Sequence, residues 1–157
     1  MPEPIRQKVV DILKARYAAI RIDNGYQTDL GLGPIDEWPI AYQQDEMPAT
    51  GIFDLINKTL QAFPLEKRSN NALSFQTRIF LRRNTAPALA RMYVADVMKA
   101  TITDPVTGER DPTFGGLAID TKPDEDGFIV PEDTFQIDGA AVSYIVEFLS
   151  EPFNAYQ

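Results

Sequence analysis

Histidine and cysteine are both absent from the 157 residues. Any chemistry must therefore fall to carboxylates, Lys, Tyr, Ser and Thr. Without histidine there is no imidazole general base near neutral pH and no serine–histidine triad. Without cysteine there is no thiol nucleophile, disulfide framework or thiolate metal site. The carboxylates best placed for hydrolysis are Asp36, Glu37, Asp45 and Glu46, which flank Trp38 and Tyr42. A glycosidase needs two carboxylates at a set separation and often a stacking aromatic. Nothing in the spacing sets such a separation, so these read as ordinary loop residues and no catalytic residue is assigned. Asp124, Glu125 and Asp126 can supply oxygen ligands to a hard cation. Gly127 comes too early for a calcium-binding loop, and the bidentate glutamate is missing, so a solvated acidic turn is expected and no metal. Thr28 to Pro34 contains Gly31-x-Gly33. A dinucleotide site needs a third glycine, a preceding strand and a following helix. Here a helix precedes and Pro34 interrupts, so a plain turn and no cofactor are expected.

Charge is divided along the chain. The net charge is −8. Residues 1–100 carry 13 Lys and Arg against 11 Asp and Glu, and residues 101–157 carry 2 against 12. A duplex-binding protein would show a basic excess; an acidic one argues against DNA as a tightly held ligand. Two readings of the acidic block stand: a solvated rim, or half of a head-to-tail interface in which acidic and basic surfaces of successive copies meet. The basic residues Lys67, Arg68, Arg78, Arg82 and Arg83 are expected to form one interface, with Asp120, Asp124, Glu125 and Asp126 as its acidic counterpart or as a lumen lining. The same basic residues read less well as a nucleic-acid surface, because few aromatics are interleaved with them.

The elements that would position these groups follow from periodicity. Residues 4–20 place Ile5, Val9, Ile12, Leu13, Tyr17 and Ile20 at helical spacing. Asn24-Gly25 marks a tight turn, and residues 27–49 read as an irregular excursion with one short strand near 35–41. Residues 50–58 read as a mostly buried strand. Residues 73–82 alternate, with Leu73, Phe75, Thr77, Ile79 and Leu81 on one face. Between these strands, residues 59–72 read as an extended loop or arm. A second helix is expected over 85–102, capped by Asn84 or Thr85, with Leu89, Met92, Tyr93, Val97 and Ala100 as its apolar face. Short strands are expected at 117–120, 128–130 and 134–137, with a charged turn at 120–127. Asp138-Gly139 is read as a hairpin turn before a strand over 141–149. The tail 151–157 is expected to be loose. Helix, strands, helix, strands predicts a single α+β domain of two layers, a mostly antiparallel sheet with two main helices on it.

Met1 to Arg21 alternates charged and apolar residues and lacks the apolar stretch of a signal peptide. No run approaches bilayer length. An intracellular protein without a membrane partner is expected.

A first helix leads into Asn24-Gly25-Tyr26 and Thr28-Asp29-Leu30-Gly31, then come Pro48-Ala49 before a strand, Ala95-Asp96-Val97 in the second helix, Gly115-Gly116-Leu117, and a last alternating strand. This order of features resembles the tail terminator and tail-completion (neck) proteins of long-tailed bacteriophages. The resemblance spans most of the chain but no motif is catalytic. It is weakest over 59–72 and 120–127. It implies a structural role: a homo-oligomeric ring, usually of six copies, on the head-proximal end of the tail tube. The partners implied are the tail tube protein and a head-completion or stopper protein. DNA passes through the lumen without specific binding, and the protein resides in the virion after assembly in the host cytoplasm. Another neck, tail tube or baseplate subunit is the alternative, and a carboxylate-based hydrolase the third reading.

Overall fold

The computed structural model describes residues 3–63, 68–129 and 137–150. They form an α+β fold of two helices and one five-stranded, mostly antiparallel sheet. The elements are α1 (Ile5–Ala18), β1 (Ile35–Glu37), β2 (Ala49–Phe63), β3 (Arg68–Phe80), α2 (Pro87–Thr101), β4 (Asp120–Ile129) and β5 (Gly139–Ser150). The sheet order is β1-β2-β3-β5-β4. Only the short β1–β2 pair is parallel; the others are antiparallel.

Period-2 alternation sets the central strands. Leu73, Phe75, Thr77, Ile79 and Leu81 on β3 and just beyond it are buried on one face, as their spacing predicts. On β5, Val142, Tyr144, Val146 and Phe148 are buried beside them, with Thr77 opposite Val142 and Phe75 opposite Tyr144. Both helices cover this face. On α1, Val9, Leu13 and Tyr17 are buried; on α2, Ala90, Val94, Val97 and Ala100. Each buried branched or aromatic side chain contributes about 1.5–3 kcal/mol. At the centre of the layer the Tyr17 hydroxyl lies 2.8 Å from Thr77, 3.0 Å from Thr101 and 3.0 Å from Tyr144. One hydroxyl thus ties both helices to both central strands.

Several sequence expectations are corrected. Residues 59–63 and 68–72 are strand, not loop: β2 runs to Phe63 and β3 starts at Arg68, and residues 64–67 lie outside the described residues. Nor do residues 69–72 belong to a free arm, because Ser69–Phe80 pairs with Gly139–Ser150 along its whole length. Polar side chains on both faces hid the strands. Two register shifts in β2, at Asp54/Asn57 and Thr59/Gln61, also broke the alternation. Leu55 and Ile56 are exposed rather than buried. Residues 120–127 are no turn but most of β4, an edge strand; edge strands carry charge because it discourages pairing with other chains. Residues 117–119 precede that strand, and Asp138 lies between strands, its N–H donating to Ile129. Phe128 and Ile129 belong to β4; Val130, residues 134–136 and the tail 151–157 lie outside the described residues. The cap of α2 is Ala86, with Pro87 in the first turn and no side-chain cap. Its buried face is turned from the expected one: Leu89 is exposed, while Asp96 and Thr101 are buried.

Candidate functional site

The loop after α1 is bound to the middle of α2. The Asp96 carboxylate accepts from Thr28 Oγ1 at 2.6 Å, Thr28 N at 2.8 Å and Gln27 N at 3.1 Å. Gly31 and Gly33 are required by close approach. A Cβ on Gly31 would lie 2.5 Å from the Ala18 carbonyl, and one on Gly33 would collide with the Pro48 carbonyl. Gly31 N donates to Ile20 O at 2.8 Å. These glycines hold backbone segments together; no strand precedes them and only a short 3-10 turn, Leu30–Leu32, surrounds them. Thus one loop joins distant stretches of the chain: Thr28 meets Asp96, Gly31 meets Ala18 and Gly33 meets Pro48.

The loop carboxylates are engaged in holding the β1 edge. Asp36 accepts from the Tyr42 hydroxyl at 2.6 Å. Glu37 lies 3.3 Å from Lys14 and accepts from Gln7. Glu46 accepts from Gln43 N. Asp54, which the sequence reading passed over, takes Trp38 Nε1 at 2.9 Å and Arg6 Nη1 at 3.0 Å. Burial raises its carboxyl, but these two hydrogen bonds outweigh that and leave it below the ordinary value. Burial first, and then the hydrogen bond to Asp36, push the Tyr42 phenol up. Trp38 packs edge-on to Phe53, 5.0 Å between centroids, and Tyr42 packs edge-on to Phe80 at 5.1 Å. No group of three Asp or Glu positioned to hold a metal occurs among the described residues.

The expected basic cluster does not form one patch. Lys67 lies outside the described residues. Arg68 opens β3 opposite Phe63, and ten residues of strand at about 3.3 Å each carry it roughly 33 Å from Arg78. Arg78 is half-buried near Phe80, 5.9 Å from its ring. Arg82 Nε donates to Met47 O at 2.6 Å, and Arg83 N donates to Gln44 Oε1 at 3.0 Å. Arg78, Arg82 and Arg83 therefore serve the end of the sheet near residues 38–48. The acidic residues do stay together, along β4. Asp120, opposite Glu147, and Glu125, opposite Ser143, lie on the face the helices leave uncovered. Asp124 sits at the register shift between Pro123 and Glu125. Asp126 lies opposite Val142, on the helix side.

Two further surfaces stand open, and the second escaped the sequence reading because it is assembled from distant residues. One is the segment after β1, where Ile40 is 99 % exposed. The other is a groove where α2 stands away from β4. It consists of a cavity of about 290 Å³ lined by Met98, Ile102, Arg110, Pro123 and Val142, and one of about 380 Å³ lined by Arg91, Val94, Met98, Asp126 and Phe128. Met98 is common to both.

No helix among the described residues is long and apolar enough to cross a membrane. In comparisons with known proteins the chain matches no family model and no curated protein.

Proposed function

We propose that this protein is a structural subunit of a bacteriophage virion, a tail terminator that assembles into a ring at the head-proximal end of the tail. The ring would join the tail tube to a head-completion protein and would do no chemistry. The observation that carries this reading is the unlikeness of the two sheet edges. One edge is β4, with Asp120, Asp124, Glu125 and Asp126; the other is β1 with the outer half of β2. A ring needs two different, complementary surfaces on opposite sides of each subunit, so that the same contact repeats head to tail and closes. On the uncovered sheet face, the β4 end carries Asp120, Glu125 and Glu147 against Lys122, which pairs with Glu147, while Arg78 and Lys58 lie further along it. The acidic excess of the β4 end suits the side of a lumen along which DNA slides, since acidic groups do not hold phosphates. Support also comes from Thr28 and Asp96: residues of two motifs that suggest the family from sequence meet in a hydrogen bond.

The test is electron microscopy of the purified protein with sedimentation at low and high salt. Closed rings that bind tail tube, and that loosen as salt screens the charged contacts, are expected. A chain that stays monomeric at high concentration and low salt, and ignores tail tube, overturns the proposal. Rings that locate elsewhere in the virion would reassign it to another neck or baseplate position.

A further inference from the structure

The geometry points to one specific contact between copies of this chain: Ile40 of one copy seats in the groove between α2 and β4 of the next. The inference rests on the ring reading above for its head-to-tail sense, and it names the surfaces that meet.

Ile40 is presented, not merely exposed. The chain leaves β1 through Trp38, whose φ of 48° is a left-handed conformation that costs a bulky residue about 1–2 kcal/mol. The Trp38 indole is fixed by Asp54 and Phe53 on one side. Tyr42 is fixed by Asp36 and Phe80 on the other. Ile40 stands between these two anchors with 99 % of its surface in water. A side chain held out on a clamped loop loses little conformational freedom on docking.

The groove is its complement. Met98 and Phe128 remain 38 % and 40 % exposed, and with Ile102, Pro123 and Val142 they make an apolar trough. Arg110 borders one cavity and Arg91 the other. Around Ile40 the chain carries Asp36 and Glu37 on one side and Asp45 and Glu46 on the other. An apolar knob between acidic pairs thus faces an apolar trough whose charged lining is Arg91, Lys99 and Arg110 together with Asp126, a basic excess that selects orientation as well as partner. The sheet order places the knob beside β1 and the trough beside β4, at opposite edges. A contact between opposite edges cannot satisfy itself within one molecule. It repeats from copy to copy.

The absence of native cysteine makes cross-linking a clean test. Variants Ile40→Cys and Met98→Cys are mixed under mild oxidation, with Leu60→Cys, an exposed residue of β2, replacing Ile40→Cys as control. A disulfide-linked heterodimer from the first pair alone is expected, and a ladder of linked chains from the double variant. In parallel, Ile40→Asp is expected to weaken self-association at least about tenfold, with an unchanged circular dichroism spectrum and melting curve. Rings that persist in Ile40→Asp and give no cross-link overturn this contact but leave the terminator reading standing. Linked chains that never close into rings uphold the contact and overturn the ring. Equal cross-linking by Leu60→Cys overturns the contact, and a chain monomeric under all conditions overturns both.

Discussion

Thr28 Oγ1 donates a 2.6 Å hydrogen bond to Asp96, so the loop after the first helix is tied to the centre of the second. Asp96 is buried, and the three donors it accepts come from Gln27 and Thr28 alone. A buried carboxylate is tolerable only while its acceptor capacity is filled. Asp96→Ala leaves those donors without a partner and is expected to destabilise the fold by about 3 kcal/mol. Thr28→Val keeps the backbone donor and should cost only about 1 kcal/mol. Urea titration followed by tryptophan fluorescence measures both. If Asp96→Ala unfolds at the same urea concentration as the unaltered chain, this tie does not hold the two helices together.

The buried hydroxyls of Tyr17, Thr77, Thr101 and Tyr144 form a second cross-brace. Tyr17 and Thr77 each reach Tyr144, at 3.0 Å and 3.1 Å. Burial raises the Tyr17 phenol and carries the Tyr144 phenol well above its ordinary value, so both stay neutral donors. Tyr17→Phe removes the shared member and should cost about 1–2 kcal/mol. Tyr144→Phe should cost less, because Tyr17 keeps its bonds to both threonines. The double variant should lose less than the sum of the single losses, since each change already releases part of the same network. A double-mutant cycle by chemical denaturation decides this, and strict additivity would show that the hydroxyls act independently.

What was legible in the sequence is what obeys one period and one buried face. Strands β3 and β5 and helix α1 meet that condition, and Leu73 to Leu81 or Ile5 to Tyr17 announce their burial directly. Strand β4 does not, because Asp124, Glu125 and Asp126 are all exposed at an edge where one side of the ladder is open. Helix α2 was found, but its inward face was misjudged: Asp96 points inward because a loop far away in sequence supplies its donors. The basic residues were grouped by sequence proximity, whereas an extended strand separates Arg68 from Arg78. The α2–β4 groove was out of reach for a related reason. Met98, Arg110 and Phe128 become neighbours only when the sheet order is known.

Gly31 and Gly33 offer a test that separates packing from conformational freedom. Neither has a left-handed backbone, since Gly33 lies at φ −82° and neither is among the positive-φ glycines. Alanine would therefore be stabilising on chain-entropy grounds alone. The carbonyls of Ala18 and Pro48 reverse that sign, because each occupies the space a Cβ needs. Gly31→Ala and Gly33→Ala are each expected to destabilise by about 2 kcal/mol or more, whereas Gly127→Ala, with open space around it, should be near neutral. Thermal melts of the three variants rank them. A stable Gly33→Ala would mean that the loop simply moves off Pro48.

Arg16 and Asp111 contribute to the acid sensitivity of the fold, beside Asp54, whose carboxyl is likewise depressed. The Arg16 guanidinium is buried, with Nη2 3.0 Å from Asp111 Oδ2, Nη1 2.6 Å from Thr101 O and 2.9 Å from Asp111 O, and its plane over the Phe114 ring. Burial lowers the Arg16 pKa and Asp111 opposes that shift. The Asp111 carboxyl is depressed, chiefly by the hydrogen bond from the Thr113 hydroxyl, then by the backbone N–H groups of Gly115 and Thr113 and by Arg16 itself; partial burial works against them. A depressed carboxyl contributes stability that is complete above its unfolded value, near 4, and is lost as pH falls through the lower folded value. The melting temperature should thus be flat from about pH 7 to 5 on this account, then fall steeply below about pH 4. Asp111→Ala should cost about 3 kcal/mol at pH 7, because it strands a buried cation. The same variant should lose less on acidification than the unaltered chain. Melts of both proteins across the acid range check this, and parallel curves would show that other carboxylates govern the acid limb.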